Sequence, residues 1–183
     1  MCIRDRLDVA QRVFQTRGYE GTSVQDLVEA TGLSRSSLYG AFGDKHGLFL
    51  AALDRYAAAG RAATETACCG PSPLAAIRAV LDQSARVGEQ PGCLMVNAAA
   101  ECAARDPETA TRADAARRAL DARFETLVRD AQAAGEVGRQ RDAAALARLL
   151  TGVVFGLRTL QTAGADQATL EAVVDEAVAG LRP

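Results

Sequence analysis

An all-helical fold is predicted by three features of the chain. Hydrophobic residues make up 49% of its 183 positions, enough to bury a real core and too many for a disordered chain. Aromatics contribute only 4% while Ala is abundant, so that core should be closely packed helices, Ala being the strongest helix former. No long alternation of β-branched residues occurs; apolar residues recur at helical spacing instead. The length suits one sizeable domain, or a small domain continuous with a larger one.

The first helix is predicted from Leu7, where Leu7, Ala10, Val13 and Phe14 form a stripe and Gly18 stops it. Two short helices and a tight turn follow in Thr22–Lys45. Ser23 is the expected N-cap of the first, with Val24, Leu27 and Val28 at helical spacing. Gly32 ends it, because a left-handed backbone costs glycine little. Ser34 is expected to cap the second, in which Leu38 and Phe42 lie four apart on one face. Arg35, Ser36, Ser37, Tyr39 and Gly40 then point largely away from that face. A helix with a buried stripe and this outer face suits recognition of a duplex groove. Short hydroxyls approach phosphates and base edges closely, Arg forks onto guanine, and Gly leaves room. An ordinary helical hairpin with a solvated face is the alternative on local pattern alone.

A long helix is expected from about Lys45 to Cys69, capped by Asp44, with Leu48, Phe49, Ala52, Leu53 and Tyr56 on its apolar face. Gly70-Pro71-Ser72-Pro73 breaks it. Pro73–Val87 carries Leu74, Ile77, Val80 and Leu81, and ends before Gly88-Glu89-Gln90-Pro91-Gly92. Cys93–Ala104 is short and strongly apolar, interrupted by Asn97 and Glu101. Asp106-Pro107 opens a long helix with Pro in its first turn, ending near Gly135, with Ala113, Ala116, Leu120, Phe124 and Leu127 inside. After the turn Gly135-Glu136-Val137-Gly138, one more helix repeats Leu146, Leu149, Leu150, Val153, Val154, Leu157 and Leu160. The last repeats Leu170, Val173, Val174, Ala177, Val178 and Leu181, with Asp166 as its cap. Gly152 and Gly156 cost roughly 1 kcal/mol each relative to Ala, and their smallness permits close helix approach.

The residues Phe14, Gly18, Tyr19, Thr22, Ser23, Val24, Leu27, Ala30, Gly32, Leu33, Ser34, Leu38, Tyr39, Phe42, Lys45 and Leu48 resemble the DNA-binding signature of the TetR family of transcriptional regulators. The motif covers roughly the first quarter of the chain and is specific; beyond it the resemblance is architectural. It implies a three-helix DNA-binding head over residues 1–48 and a helical effector-binding and dimerisation body over 49–183. Met1–Arg6 departs from the family pattern, which opens with a basic arm and an apolar residue where this chain has Arg6; these six residues are expected not to be a native beginning. The resemblance places Tyr39 and Lys45 at phosphate-contacting positions, with Thr22 and Ser23 at the preceding helix start. Gln25, Arg35, Ser36 and Ser37 are the candidates for base readout, and Gly40 for close approach to the groove.

The resemblance also implies that the last two helices meet a second copy as a four-helix interface, through Leu149, Val153, Leu157, Val174 and Val178. Periodicity alone allows an intramolecular hairpin equally well. An effector of unknown identity is expected in the body, with Cys93, Asn97, Glu101, Phe124, Phe155 and Arg158 as candidate lining. Asn97 and Glu101 share a helical face; facing inward they would need partners that a ligand supplies. Otherwise they face solvent, or pair with Arg117, Arg123 or Arg158. The expected activity is therefore a repressor that binds an inverted-repeat operator as a homodimer and is released by a small molecule. A second reading is a thiol sensor acting through Cys93, which follows Gly92 at a helix start where the dipole favours thiolate.

Charge bears on the same question. The net charge is −2, and residues 1–56 balance Arg4, Arg6, Arg12, Arg17, Arg35, Lys45 and Arg55 against Asp5, Asp8, Glu20, Asp26, Glu29, Asp44 and Asp54. The usual basic-domain test fails. Placement of a few donors, and helix N-termini aimed at phosphates, must carry affinity. The five cysteines, Cys2, Cys68, Cys69, Cys93 and Cys102, are odd in number, with no signal peptide before them and no apolar run expected to span a membrane. A cytoplasmic location follows as the expectation. The single histidine, His46, leaves no zinc spacing and no nucleophile motif, so neither a metal, a cofactor nor an enzymatic activity is expected.

Overall fold

The computed structural model describes residues 3–86 and 92–183, with side chains from Arg6 onward. Among the described residues the secondary structure is helical throughout: α1 (Ile3–Arg17), α2 (Val24–Thr31), α3 (Arg35–Phe42), α4 (Lys45–Ala67), α5 (Pro73–Ala85), α6 (Leu94–Glu101), α7 (Pro107–Ala133), α8 (Ala143–Thr162) and α9 (Gln167–Ala179). The all-α expectation holds. The turn at 88–91, the end of the fifth helix at Val87, and Met1 and Cys2 lie outside the described residues.

Local chemistry sets most boundaries. Ser23 and Asp26 form a reciprocal capping box at α2, which satisfies two amides left free at a helix start. Ser34 accepts the Ser37 amide at α3, and the Asp44 carboxylate accepts the Gly47 amide at the start of α4. Asp142 and Asp166 cap α8 and α9. Gly32 takes φ 65° at the end of α2, a conformation that residues with a Cβ rarely adopt.

The chain forms two compact units, residues 1–59 with 90–114, and residues 60–89 with 115–183. This differs from a division at 48/49, for a physical reason. The first half of α4 and all of α6 pack with the N-terminal helices: α1 contacts α2 and α6, and α2 contacts α3. In the first unit Ala10, Phe14, Leu27, Leu38, Leu48, Phe49, Ala52 and Leu53 are buried. Phe14 and Phe49 meet edge-on at 5.1 Å. Arg55 of α4 forms a forked pair with Asp8 of α1, and that hydrogen bond holds the Asp8 carboxyl below its ordinary pKa.

In the second unit α5, α8 and α9 pack on one another, with Phe124, Leu127 and Val128 of α7 completing the core. Gln132 closes the α7–α8 turn by donating to the Gly138 and Arg141 carbonyls at 3.0 and 2.8 Å. Gln161 ties α8 to the end of α5 through the Ser84 and Arg86 carbonyls.

One expectation changes here. Contrary to the expectation that no apolar run is long enough to span a membrane, α8 reaches the necessary length and composition, with a mean hydropathy of 1.5. Its Leu146, Leu150, Val154 and Leu157 are spent in the core, which accounts for part of that composition. The residues nominated for the interface also differ in burial. Leu157 and Val174 are fully buried and Val178 nearly so within one chain, because they close the α8–α9 hairpin. They have no surface to offer a second copy. Leu149 is 56% exposed and Leu160 37%, Val153 is half-buried, and a Cβ at Gly152 or Gly156 would meet nothing within 4 Å.

Candidate nucleic-acid interface

The site is built around the short helix α3. Leu38 is fully buried and Phe42 half-buried, while Arg35, Ser36, Ser37, Tyr39, Gly40 and Ala41 are exposed. One apolar stripe anchors the helix and the rest of its circumference is open. Ser34 gathers the neighbouring hydroxyls: its Oγ lies 2.9 Å from both the Ser36 and Ser37 Oγ atoms. A Cβ at Gly40 would meet open space, so nothing inside the chain requires a glycine there. The face thus combines a guanidinium, a hydroxyl cluster, a phenol and a bare backbone, a set suited to close approach to a phosphate-lined groove.

Lys45 opens α4 one turn beyond α3. Its ammonium lies 4.3 Å from the centroid of the Tyr19 ring, an attraction between cation and ring face. Tyr19 is itself packed at 4.7 Å on Phe49 and 6.3 Å from His46. Burial, followed by nearby acidic groups, pushes its phenol above the ordinary pKa, so it stays neutral. His46 is held in turn by Asp106, whose carboxylate lies 2.7 Å from Nε2 and also caps α7 through the Glu108 and Thr109 amides.

The other nominated residues divide. Ser23 is exposed at the N-cap of α2, its hydroxyl engaged with Asp26. Gln25 is exposed on α2 and bonded to Glu29 at 2.8 Å. Thr22 is a correction: it is 1% exposed, and its hydroxyl donates to the Gly18 carbonyl at 2.6 Å. Its side chain braces the turn between α1 and α2 and is unavailable to a phosphate.

The six effector candidates are divided between the two compact units. Cys93, Asn97 and Glu101 belong to the first unit, and Phe124, Phe155 and Arg158 to the second. Asn97 donates to the Gln15 carbonyl at 3.2 Å, and Glu101 accepts the Tyr19 amide at 2.9 Å. Both therefore meet the chain at the end of α1. Phe124 is 1% exposed in the core, Phe155 packs partly buried against it, and Arg158 reaches Gln161 at 3.4 Å. A groove of about 310 Å³ lies between α7 and α8, walled by Arg117, Arg118, Asp121, Glu125 and Arg148; none of the six lines it. Cys93 is the N-cap of α6, as its position after Gly92 suggested, but only 8% of it is exposed. A sensing thiolate must be accessible, so the thiol reading is not favoured.

Comparison with known proteins agrees with this geometry. Residues 7–52 match the model of bacterial regulatory proteins of the tetR family, and residues 73–177 that of the tetracyclin repressor-like C-terminal domain. The uncharacterized HTH-type transcriptional regulator YezE of Bacillus subtilis is 35% identical over 91% of this chain and 89% of its own length. The HTH-type transcriptional repressor ComR of Escherichia coli is 33% identical over 87% of this chain and 79% of its own. Among solved structures, a cysteine mutant of the TetR family regulator CifR, complexed with 26bp double-strand operator DNA, superposes with a TM-score of 0.88. It is 31% identical, and the match covers 100% of this chain and 97% of that one. With a helix-turn-helix head and a family match over most of its length, this chain belongs to the TetR family of transcriptional regulators.

Proposed function

We propose that this regulator is a repressor that binds an inverted-repeat operator as a homodimer and releases it when a small molecule binds its body. The observation that carries the DNA reading is the outer face of α3, where Arg35, Ser36, Ser37, Tyr39 and Gly40 stand exposed around an anchored Leu38. Arg35, Ser36, Ser37 and Gln25 read bases; Tyr39, Lys45 and the start of α2 at Ser23 hold phosphate. The repressor role is carried from ComR, and operator binding from CifR. By role, residues 1–48 contact DNA and 49–183 bind effector and dimerise, although the compact units are cut differently. The chain works in the cytoplasm and has no enzymatic role; its family is one of transcriptional regulators.

The dimer reading is supported by α8. Leu149, Gly152, Val153, Gly156 and Leu160 lie on one side of it, at spacings of three and four, with no described side chain within 4 Å of a Cβ at either glycine. Two such faces fit at close range because the glycines let the backbones approach. The effector reading rests on the C-terminal family match.

Selection of duplexes from a randomised library by the full chain tests the central reading. Inverted repeats with half-sites about one helical turn apart are expected. Enrichment of no sequence, or of unpaired half-sites only, would overturn it. A thermal-shift screen of metabolites tests the effector: a ligand at a hundredfold excess over its Kd stabilises by about 2.7 kcal/mol, and the same compound must weaken operator binding.

A further inference from the structure

We infer that Glu101, the last residue of α6, is a positioning residue for the phosphate contact assigned to Lys45, and that it acts through Tyr19. The inference rests on the proposed DNA-binding reading and adds a residue that touches no DNA.

The geometry runs in three steps. First, Glu101 Oε2 accepts the backbone N–H of Tyr19 at 2.9 Å and that of Glu20 at 3.4 Å. The carboxylate lies directly against Gly18, the φ +73° residue that ends α1; a Cβ there would stand 2.1 Å from Oε1. Only glycine lets the carboxylate in so close, and the amides of the two residues that follow Gly18 converge on it. Second, the backbone fixed in this way carries the Tyr19 ring, wedged against Phe49 and Phe14 at 4.7 and 6.3 Å. Third, that ring lies under the Lys45 ammonium at 4.3 Å. A flexible four-carbon stem is thereby given a preferred direction before DNA arrives, which lowers the ordering cost of the contact. Two further bonds keep α6 in register with α1: Asn97 Nδ2 to the Gln15 carbonyl, and Gln15 Nε2 to the Gly92 carbonyl at 2.7 Å.

Charge gives this inference an opposite sign from its competitor. Glu101 is an exposed anion, and DNA is a polyanion. If the carboxylate acted only through its field, removing it would strengthen DNA binding. As a positioning group its removal weakens binding, because the Tyr19 amides lose their acceptor.

The test uses the full chain and a duplex enriched by the wild-type protein from a randomised library, titrated across a salt series. Glu101→Ala is expected to weaken binding about three- to tenfold, with a shallower dependence on log salt. Glu101→Gln keeps a carbonyl acceptor and should bind within about twofold of wild type, or more tightly. Glu101→Asp keeps the charge but withdraws it by one methylene, and should behave like the alanine variant; it serves if Glu101→Ala fails to fold. Combined with Lys45→Ala, Glu101→Ala should add little, since both act on one contact. Tighter binding by the alanine variant, wild-type binding by the aspartate variant, a glutamine variant as weak as alanine, or full additivity with Lys45→Ala each overturns the inference. If the wild-type chain enriches no duplex, the DNA-binding reading itself fails and takes the inference with it. DNA binding insensitive to Glu101 removes the inference alone.

Discussion

Lys45 and Asp26 show how single side chains carry the head's chemistry. Lys45→Ala should weaken binding to every duplex and lower the salt slope by about one contact; gel shifts over a salt series check this, and an unchanged slope would remove the phosphate assignment. Arg35→Ala should instead relax preference at a base position, at a cost of about 1–3 kcal/mol, read by repeating the library selection with the variant. Asp26 is a stability residue. Its pKa is lowered from 3.8 to about 2, first by the Ser23 hydroxyl and amide and then by Arg17. Asp106 is likewise lowered to about 2, first by the Thr109 hydroxyl and then by His46. Because both folded values lie below the ordinary one, their stabilisation is complete above about pH 4 and is lost as pH falls through about 2. An Asp26→Asn, Asp106→Asn variant should therefore melt below wild type at neutral pH and converge with it at the acid end. Melting curves across that range decide it, and a gap independent of pH would refute the assignment.

At the scale of elements, α8 makes the sharpest prediction, because one of its faces is buried in its own chain and the other is exposed. Leu157→Asp places a charge in the subunit core and should unfold the chain, since an unpaired buried charge costs at least several kcal/mol. Leu149→Asp leaves the fold and melting temperature of the monomer nearly intact but should abolish the dimer. Sedimentation of both variants separates the faces; a Leu149→Asp protein that remained dimeric would move the interface elsewhere. Periodicity could not make this distinction. Leu149 and Leu157 belong to one repeating stripe in the sequence, yet one is exposed and the other fully buried. Which flank of a wide apolar face meets its own chain depends on neighbours that the helix itself does not name. The caps were legible for the converse reason. Ser23, Ser34, Asp44 and Asp166 each act on the amide three residues away, so the signal and its partner lie in the same window. Asp142 at the start of α8 is the same chemistry and was readable by the same rule. Asn97 and Glu101 were visible as polar residues on an apolar helix, but their partners stand 82 residues away, beyond any local pattern. Thr22 misled because the resemblance marks the position, whereas only the Gly18 carbonyl beside it shows that its hydroxyl is taken.

For the whole molecule, the consequence of the α1–α6 ties is practical and concerns cutting and grafting. The compact unit holding the helix-turn-helix is made from two separated stretches, residues 1–59 and 90–114. A chimera joined at residue 48, the natural seam by motif, would part Asp8 from Arg55, Tyr19 from Glu101 and His46 from Asp106. The transplanted head would keep its recognition helix and lose the struts that hold it. Carrying residues 90–114 along with 1–59 preserves all three pairs, so a specificity transplant into this scaffold calls for two crossovers more than its motif boundary suggests.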